Sequence, residues 1–382
     1  MMTKSLGVLL VSGALTHQEN YSLKFRDDPR CRLIGVTDEA NVDAERTQLN
    51  QAWAEKLDIP YLPNLGDALH RADVDIVSIC AEPERRGRIA VECANAEKHI
   101  YLDKPVTPFL TVADSVVEAV QQNGVRSQMF SFIYQPWVQR AKQIVASGEL
   151  GDLLAVHADC LFAKGPNGTA QLGTIRQSPY PPKISNFVDA KAELYAMGIY
   201  SLGVACWLIG HSVQTVYGQT ANYFFEAHQH HNVEDFGYLM LTFSNGATAT
   251  ITGGRIGWTG HASGGNNQVY LIGTKKSLLI DAYRPRLEVY DRAPAWASPE
   301  VNPRDPMGFW SSTQAEVNIQ PKRIYTPFMA DFRGDEQHFV DCIVEDRESE
   351  MNAQQAATLT EILLAGYQSA SQGHVVSLPL SR

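Results

Sequence analysis

The sequence predicts an α/β protein of two domains. We expect an N-terminal doubly wound parallel sheet, followed by an α+β domain with a large, mostly antiparallel open sheet covered by helices on one face. The chain has 382 residues, and domains of roughly 100 to 200 residues are usual. Apolar strands alternate with helices in its first third, whereas strand patterns dominate after residue 150. The predicted domains are therefore 1–126 and 127–382.

The first domain is defined by its alternation. Strands that are apolar on both faces and separated by helices indicate a parallel sheet covered on both sides, of the Rossmann type. Such a sheet places a nucleotide at the carboxyl ends of its strands. The predicted strands are 6–11, 32–36, 74–80, 99–102 and 127–132, and the predicted helices are 42–57, 67–71, 85–95 and 113–123.

The second domain is rich in strand patterns, and Ser244-Asn245-Gly246 is typical of a hairpin turn. Helices would cover one face of the sheet, and the uncovered face predicts a homodimer or homotetramer. Irregular stretches at 163–187 and 291–327 are long for loops, and we expect the first to line the substrate pocket. The predicted strands are 154–162, 213–225, 236–243, 247–253, 268–272, 277–281 and 287–290, and the helices are 190–208, 332–345 and 353–371.

Composition argues against several classes of protein. The net charge is −10, and the absence of clustered Lys and Arg argues against binding to nucleic acid. No window approaches the ~18 apolar residues that cross a membrane. The N-terminus has no small-residue cleavage site, so a cytoplasmic location is expected. The six cysteines show neither zinc spacing nor a disulfide framework, which predicts core thiols.

The loop after the first strand has only part of a dinucleotide fingerprint. The pattern G-x-G-x-x-G falls on Val11, Gly13 and Thr16, so the middle glycine, which allows close backbone approach, is the one retained. Asp38 ends the second strand, where an acid binds the adenosine ribose hydroxyls and repels a 2′-phosphate. This favours NAD over NADP. Alternatively, Asp38 only caps the following helix.

The segment Tyr101-Leu102-Asp103-Lys104-Pro105 places a lysine between a strand end and a proline. With this segment the chain resembles the glucose-fructose oxidoreductase, inositol dehydrogenase and MocA (Gfo/Idh/MocA) family, whose typical Glu-Lys-Pro appears as Asp103-Lys104-Pro105. The resemblance covers nearly the whole chain. The family's Thr-Pro-Asn turn reads Ala81-Glu82-Pro83, and Arg86 replaces a common histidine. The resemblance implies bound NAD, with contacts from Gly13, Asp38, Ala81, Glu82, Arg86, Asp103 and Lys104.

The second candidate motif is Met197-Gly198-Ile199-Tyr200. Where the family often has Gly-x-His-x-x-Asp, this chain has Tyr200 for the histidine and Gly203 for the aspartate. Glucose-fructose oxidoreductase types also have tyrosine there, so the resemblance implies Lys104 and Tyr200 as catalytic residues. A phenol relays a proton if a cation such as Lys104 lowers its pKa from about 10. Alternatively, Tyr200 packs on the buried face of a helix.

Three residues are candidates for substrate binding. Lys164 and Lys191 could hold an anionic or heavily hydroxylated substrate, although single lysines are mostly solvated. Tyr134 lies where the chain passes between the domains, and its ring could stack on a sugar or belong to the core.

A group of histidines suggests a metal site at first. His228, His230 and His231 lack zinc partners at matching spacing. On a strand, His228 and His230 would share one face and His231 would lie on the other. We therefore predict no metal site.

These features predict NAD-dependent oxidation of a secondary hydroxyl on a sugar, a sugar derivative or a cyclitol. Lys104 would polarise the hydroxyl, and Tyr200 would take its proton. One alternative is an NAD-dependent glycosidase that oxidises the sugar transiently and returns the hydride. Another is a regulatory protein that binds a dinucleotide without catalysis. The cationic Lys104 beside Asp103 argues against the second alternative, because it has no evident structural use.

Overall fold

The computed structural model describes residues 5–164, 182–185, 187, 189–258, 264–284, 286–292, 295–296, 313–314, 319–326 and 334–382. Structural statements below concern these residues. No helix among them combines the length and the apolar character needed to span a membrane.

Six parallel strands form the first sheet, which confirms the doubly wound prediction. The strand order is β3-β2-β1-β4-β5-β6. The central strand β4 is buried at every residue, as expected for a sheet with helices on both faces. The strands are β1 (Leu6–Val11), β2 (Cys31–Thr37), β3 (Tyr61–Leu62), β4 (Ile76–Ile79), β5 (His99–Leu102) and β6 (Ser127–Met129), and the helices are α1 (Gln18–Asp27), α2 (Ala44–Leu57), α3 (Leu65–Leu69), α4 (Pro83–Asn95) and α5 (Leu110–Asn123).

The last strand of this sheet is shorter than predicted. β6 ends at Met129, and Phe132–Tyr134 forms a 3-10 turn that begins with Ser131. The Ser131 hydroxyl accepts a hydrogen bond from the backbone N–H of Ile133, which favours a turn over continued pairing. Because β6 pairs with β5, the sheet extends three residues beyond residue 126. The division of the chain into two domains stays a prediction.

Nine strands form the second sheet, in the order β16-β13-β12-β11-β7-β10-β9-β8-β17. Its pairs are antiparallel except β7 with β10, which confirms the mostly antiparallel prediction. The strands are β7 (Leu153–Ala163), β8 (Val213–Ala221), β9 (Phe236–Phe243), β10 (Thr248–Ile256), β11 (Gly265–Gly273), β12 (Ser277–Asp281), β13 (Arg286–Tyr290), β14 (Ala295–Trp296), β15 (Thr313–Gln314), β16 (Arg323–Tyr325) and β17 (Val376–Ser377). β14 and β15 pair separately from this sheet.

Helices cover one face of the second sheet. The helical elements are α6 (Pro136–Ala146), a π-helical turn (Leu194–Gly198), α7 (Ile199–Ile209), α8 (Glu226–His230), α9 (Asp335–Val344) and α10 (Ala353–Gln372). α10 crosses β8 closely, since a Cβ on Gly218 would lie 2.2 Å from the carbonyl oxygen of Gly366. On the opposite face, no helix of the described residues covers Met240 and Tyr270, which are 52% and 38% exposed.

The C-terminal helices also pack against the first sheet. The hydroxyl of Tyr101 in β5 donates to Asp335 at the start of α9 over 2.7 Å. The backbone N–H of Ala353 donates to the Ser127 hydroxyl at 2.9 Å. These contacts hold β5 and β6 against helices that follow the second sheet.

The segment that contains the three histidines is helical and not a strand, and the predicted strand 213–225 is wrong at its C-terminal end. β8 stops at Ala221, and His228 and His230 lie in α8. His228 is fully buried whereas His230 is exposed. They therefore do not share a face, because residues two positions apart on a helix differ by about 200° around its axis.

Candidate active site

Two adjoining hollows lie at the carboxyl ends of the first sheet's strands. The inner hollow has a volume of about 230 Å³ and is lined by Thr16, Ala81, Asp103, Lys104 and Lys191, among others. The outer hollow, of about 490 Å³, lies beside Glu39 and Arg85. Arg46 and Glu82 line both hollows, so the two form one cleft. Dinucleotides bind in this position on doubly wound sheets.

Asp103 is held by three neighbouring side chains. Its carboxylate accepts hydrogen bonds from Arg86 and from the Tyr21 hydroxyl, each at 2.9 Å. The imidazole of His17 also lies 2.9 Å from it. Although burial acts in the opposite direction, Arg86 and His17 hold the pKa of Asp103 far below its usual range. Arg86 donates to the carbonyl of Pro105 as well, and so ties α4 to the lysine motif.

Lys104 lies at the inner wall of the cleft with its ammonium group largely withdrawn from solvent. The residue is 7% exposed, and Nζ donates to the carbonyl of Ala196 at 2.6 Å. Burial lowers the pKa of Lys104 to about 8, against the opposing effect of the Asp103 carboxylate. Lys104 can therefore take up or release a proton near neutral pH, as a general base requires.

Tyr200 contacts Lys104 through the face of its ring. The Lys104 Nζ lies 4.2 Å from the ring centroid, and the ring stacks on Phe132 at 4.0 Å. Burial raises the pKa of Tyr200 well above its ordinary value. A proton relay through the phenol would require a lowered pKa, and burial and the carboxylate of Asp103 both oppose that. Gly203, at the position of the family aspartate, faces Ser131 and Leu359.

Gly13 is needed for packing within the protein. A Cβ at this position would lie 2.9 Å from the Cβ of Trp53, and the Gly13 N–H donates to the side chain of Asn50 at 2.7 Å. The loop therefore lies directly on α2. Close approach of Gly13 to a diphosphate stays a prediction.

Asp38 is fully buried, and hydrogen-bond donors surround its carboxylate. Oδ1 accepts from Arg85 at 2.5 Å and from the backbone N–H of Glu39 at 2.9 Å. Oδ2 accepts from Ser12 and Asn50, each at 2.9 Å, and from Arg85 at 3.3 Å. The structure thus places Asp38 at the end of β2 as predicted, and Arg85 donates to both oxygens of its carboxylate.

The three predicted substrate residues lie in different places. Lys191 lines the inner hollow with Lys104. Lys164 lies further out, and its Nζ donates to the carbonyl of Asp189 at 3.0 Å. Tyr134 is not in the cleft: it is 3% exposed, packs on His338 at 4.3 Å and shares a 2.8 Å hydrogen bond with Ser349. Its candidate role as a sugar-stacking ring is wrong, because α9 and the segment before α10 cover it.

The sequence reasoning missed Tyr195, which lines the inner hollow from the π-helical turn. The residue is 2% exposed, and its hydroxyl has no hydrogen-bond partner among the described residues. A buried polar group without a partner is costly, and π-helical turns are frequent at functional sites. The sequence offered one hint of this role: Tyr195 lies five residues before the candidate catalytic Tyr200, within the same predicted helix. Arg46 was also missed, although its Nη1 donates to the carbonyl of Ala14 in the loop after β1 at 2.8 Å.

The cleft has the features that a dinucleotide requires. It crosses the strand ends of a doubly wound sheet, and Arg46 lines both of its hollows. The fold and site are those of a nicotinamide-dependent oxidoreductase.

Comparison with known proteins identifies the family. Residues 9–131 match the oxidoreductase family with an NAD-binding Rossmann fold, and residues 138–279 match the GFO/IDH/MocA C-terminal domain. The chain belongs to the Gfo/Idh/MocA family and is an NAD-binding oxidoreductase.

Several relatives and solved structures are similar to this chain. An uncharacterised oxidoreductase, YrbE, of Bacillus subtilis (strain 168) is 28% identical over 262 residues, covering 67% of this chain and 68% of the relative. The NAD-dependent scyllo-inositol 2-dehydrogenase of the same organism is 24% identical over 264 residues, with coverage of 67% and 68%. Levoglucosan dehydrogenase, solved with NADH and levoglucosan, shares the fold with a TM-score of 0.73, 16% identity and coverage of 99% and 100%.

Proposed function

We propose that this protein oxidises a secondary hydroxyl of a sugar, a sugar derivative or a cyclitol with NAD. The observation that carries the proposal is Lys104, whose amine lines the cleft and has a pKa of about 8. Relatives named inositol 2-dehydrogenase support the substrate class. Levoglucosan dehydrogenase supports it by its fold.

The cleft residues divide the binding of NAD among them. Arg46 lies between the two hollows, where its charge suits the diphosphate. Ala81, Glu82 and Arg86 line the inner hollow, which suits the nicotinamide half. Bound NAD supplies the hydride acceptor.

Lys104 carries the proton chemistry in this proposal. Its neutral amine accepts the proton of the reacting hydroxyl, and Asp103 stabilises the resulting ammonium. We assign Tyr200 a positioning role, because its ring lies against the ammonium and its raised pKa opposes ionisation. The carbonyl of Ala196, in the π-helical turn, orients the same group.

Replacement of Lys104 tests the assignment. The Lys104→Ala variant should lose at least about a hundredfold of kcat, the usual contribution of a positioned base. Lys275→Met is the matched control, because Lys275 is an exposed lysine between β11 and β12. The assay combines myo-inositol, aldoses and aryl glycosides with NAD, and records NADH absorbance and released aglycone. Near wild-type turnover in Lys104→Ala would refute the role of Lys104.

The same assay decides between the two alternatives. Accumulation of NADH indicates a dehydrogenase, whereas aglycone release without NADH indicates the redox-neutral glycosidase. Nucleotide binding without turnover of any of these compounds would favour the regulatory protein. The burial of Asp38 under Arg85 is the observation that keeps this last alternative in view.

We also propose a homodimer or homotetramer formed through the open face of the second sheet. The exposed side chains of Met240 and Tyr270 on this face support the proposal. A cytoplasmic location is a further proposal, supported by six cysteines that are all free thiols.

A further inference from the structure

The helical segment that carries Tyr195 and Tyr200 begins without a local capping side chain. It starts at Glu193 and runs through the π-helical turn into α7. The side chain of Glu193, at the N-cap position, makes no capping hydrogen bond. A helix N-terminus leaves its first backbone N–H groups without partners inside the helix. Those of Glu193, Leu194 and Tyr195 therefore need acceptors from elsewhere in the protein.

Two residues from distant parts of the chain supply these acceptors. The N–H of Glu193 donates to the backbone carbonyl of Glu234 at 3.2 Å, and the N–H of Leu194 donates to the Glu234 carboxyl group at 3.0 Å. The N–H of Tyr195 donates to the hydroxyl of Tyr367 at 3.0 Å. We call Glu234 and Tyr367 the tertiary cap. It joins the residue pair before β9 and the helix α10 to the start of the π-helical turn.

The two members of the tertiary cap are bonded to each other and fully buried. The Tyr367 hydroxyl donates to Oε1 of Glu234, the same oxygen that accepts from Leu194. Both residues have a relative exposure of 0%. Burial of a carboxyl group is costly unless it is hydrogen-bonded. Removal of either member would leave a buried N–H group of the turn without its acceptor, which is also costly.

The sheet fixes the other side of the π-helical turn. A Cβ on Gly253 in β10 would lie 2.4 Å from the Cα of Gly198. A Cβ on Gly237 in β9 would lie 3.0 Å from the side chain of Leu194. The turn therefore rests directly on these strands, and the tertiary cap holds its first residues in place.

The first residues of the turn hold two groups at the cleft. Tyr195 lines the inner hollow. The carbonyl of Ala196 accepts a hydrogen bond from the Lys104 ammonium group at 2.6 Å. One peptide unit separates the Tyr195 N–H, which the tertiary cap holds, from this carbonyl. Movement of the start of the turn would therefore displace the acceptor of Lys104.

We propose that the tertiary cap, Glu234 and Tyr367, positions Lys104 for proton transfer by holding its carbonyl acceptor in place. Neither cap residue is among those that line the two hollows of the cleft, so both act through the turn. Misplacement of a catalytic group by about 1 Å can cost about a hundredfold in rate. This inference deepens the proposed function and rests on it.

Tyr367→Phe tests the tertiary cap by removing only the hydroxyl. The Ala196 carbonyl favours the charged form of Lys104, so its displacement should lower the pKa of Lys104 by about half a unit or more. The rising limb of kcat/KM should move to lower pH by the same amount, and kcat should fall about tenfold. The titratable groups that act on Lys104 are unchanged in this variant: Asp103, Arg86, Lys191 and Cys160.

NMR measures the pKa of Lys104 without requiring turnover. Protein labelled with ¹³C at the lysine Cε atoms is titrated across neutral and alkaline pH. The resonance of Lys104 is identified by its absence in Lys104→Arg. Initial rates of NADH formation over the same range give the position of the rising limb.

Tyr134→Phe is the matched control. It removes another buried tyrosine hydroxyl, which shares a 2.8 Å hydrogen bond with Ser349 outside the cleft. This variant should lose melting temperature to a similar degree and leave the pKa of Lys104 unchanged. Glu234→Gln keeps an acceptor oxygen and should shift that pKa less than Glu234→Ala, which separates an effect of position from an effect of charge.

An unchanged pKa of Lys104 in Tyr367→Phe, or an equal shift in Tyr134→Phe, would overturn the inference. Thermal unfolding shows whether each variant is folded in the assay. If Tyr367→Phe does not fold, equal shifts in Glu234→Gln and Glu234→Ala would overturn it instead. Turnover that survives in Lys104→Ala refutes the proposed base, whatever the cap does. Turnover that depends on Lys104, with no shift of its pKa in Tyr367→Phe, refutes only the positioning role.

Discussion

The pH dependence of sugar oxidation should shift in opposite directions when the two members of the buried pair Asp103 and Arg86 are neutralised. Burial sets the pKa of Lys104 at about 8, Asp103 raises it, and Arg86 lowers it. If the neutral amine is the base, kcat/KM rises with pH and levels off above about 8. At pH 7 only about one tenth of Lys104 would be neutral, by the ordinary titration relation.

The expected magnitude follows from the charges around Lys104. A single charge several ångströms away, in a medium of effective dielectric constant about 20, shifts a pKa by about 1 to 2 units. Asp103→Asn should therefore move the rising limb to lower pH by about one unit. Arg86→Gln should move it to higher pH by a similar amount.

The assay measures initial rates of NADH formation between pH 6 and 10 at constant ionic strength, with about 0.1 M salt to standardise screening. Lys104→Arg serves as the control, since a guanidinium does not titrate in this range and the limb should disappear. Shifts of both variants in the same direction, or a limb that persists in Lys104→Arg, would refute the reasoning.

The ionisation of Lys104 should also make the free energy of unfolding depend on pH. The pKa of Lys104 is lower in the folded protein than in the unfolded chain. The unfolded chain therefore binds more protons between about pH 8 and 10.5, so this group's contribution to stability rises with pH through that window.

Two further predictions concern cofactor affinity. Tyr195→Phe should weaken NADH binding about three- to tenfold. It should not lower the melting temperature, because the hydroxyl that it removes has no hydrogen-bond partner among the described residues. Ser201→Ala removes another buried hydroxyl without a partner there and should leave the Kd of NADH unchanged. Arg85→Gln should tighten NAD binding several-fold in fluorescence titrations, because it frees Asp38 for the ribose. Arg26→Gln should have no effect, because Arg26 is exposed and lines neither hollow of the cleft. Weaker NAD binding in Arg85→Gln would show that Arg85 helps to hold the nucleotide.

Local pattern was sufficient for much of the fold. Strands β1, β5, β9 and β12 have the bounds that the sequence predicts. Each is a short apolar or alternating segment bounded by turn residues, and that pattern depends only on near neighbours. The helical prediction at 190–208 missed the π-helical turn, because the local pattern of apolar residues does not distinguish it from an α-helix.

Contacts between distant residues were beyond the same reasoning. Arg85 pairs with Asp38, 47 residues away, and this pairing changes what Asp38 offers to a ribose. Tyr134 bonds to Ser349 across 215 residues, which removes it from the cleft. Neither partner leaves a signal near the residue it contacts.

By itself, the sequence determined the two kinds of sheet, the order of their strands along the chain and the lysine motif at the end of β5, because these depend on periodicity and on the residues flanking each strand. Only the tertiary structure decided which side chains surround Lys104, that its pKa is about 8, and that Tyr195 faces the cleft. Burial and long-range pairing set these properties, and both arise only when segments far apart in the chain meet.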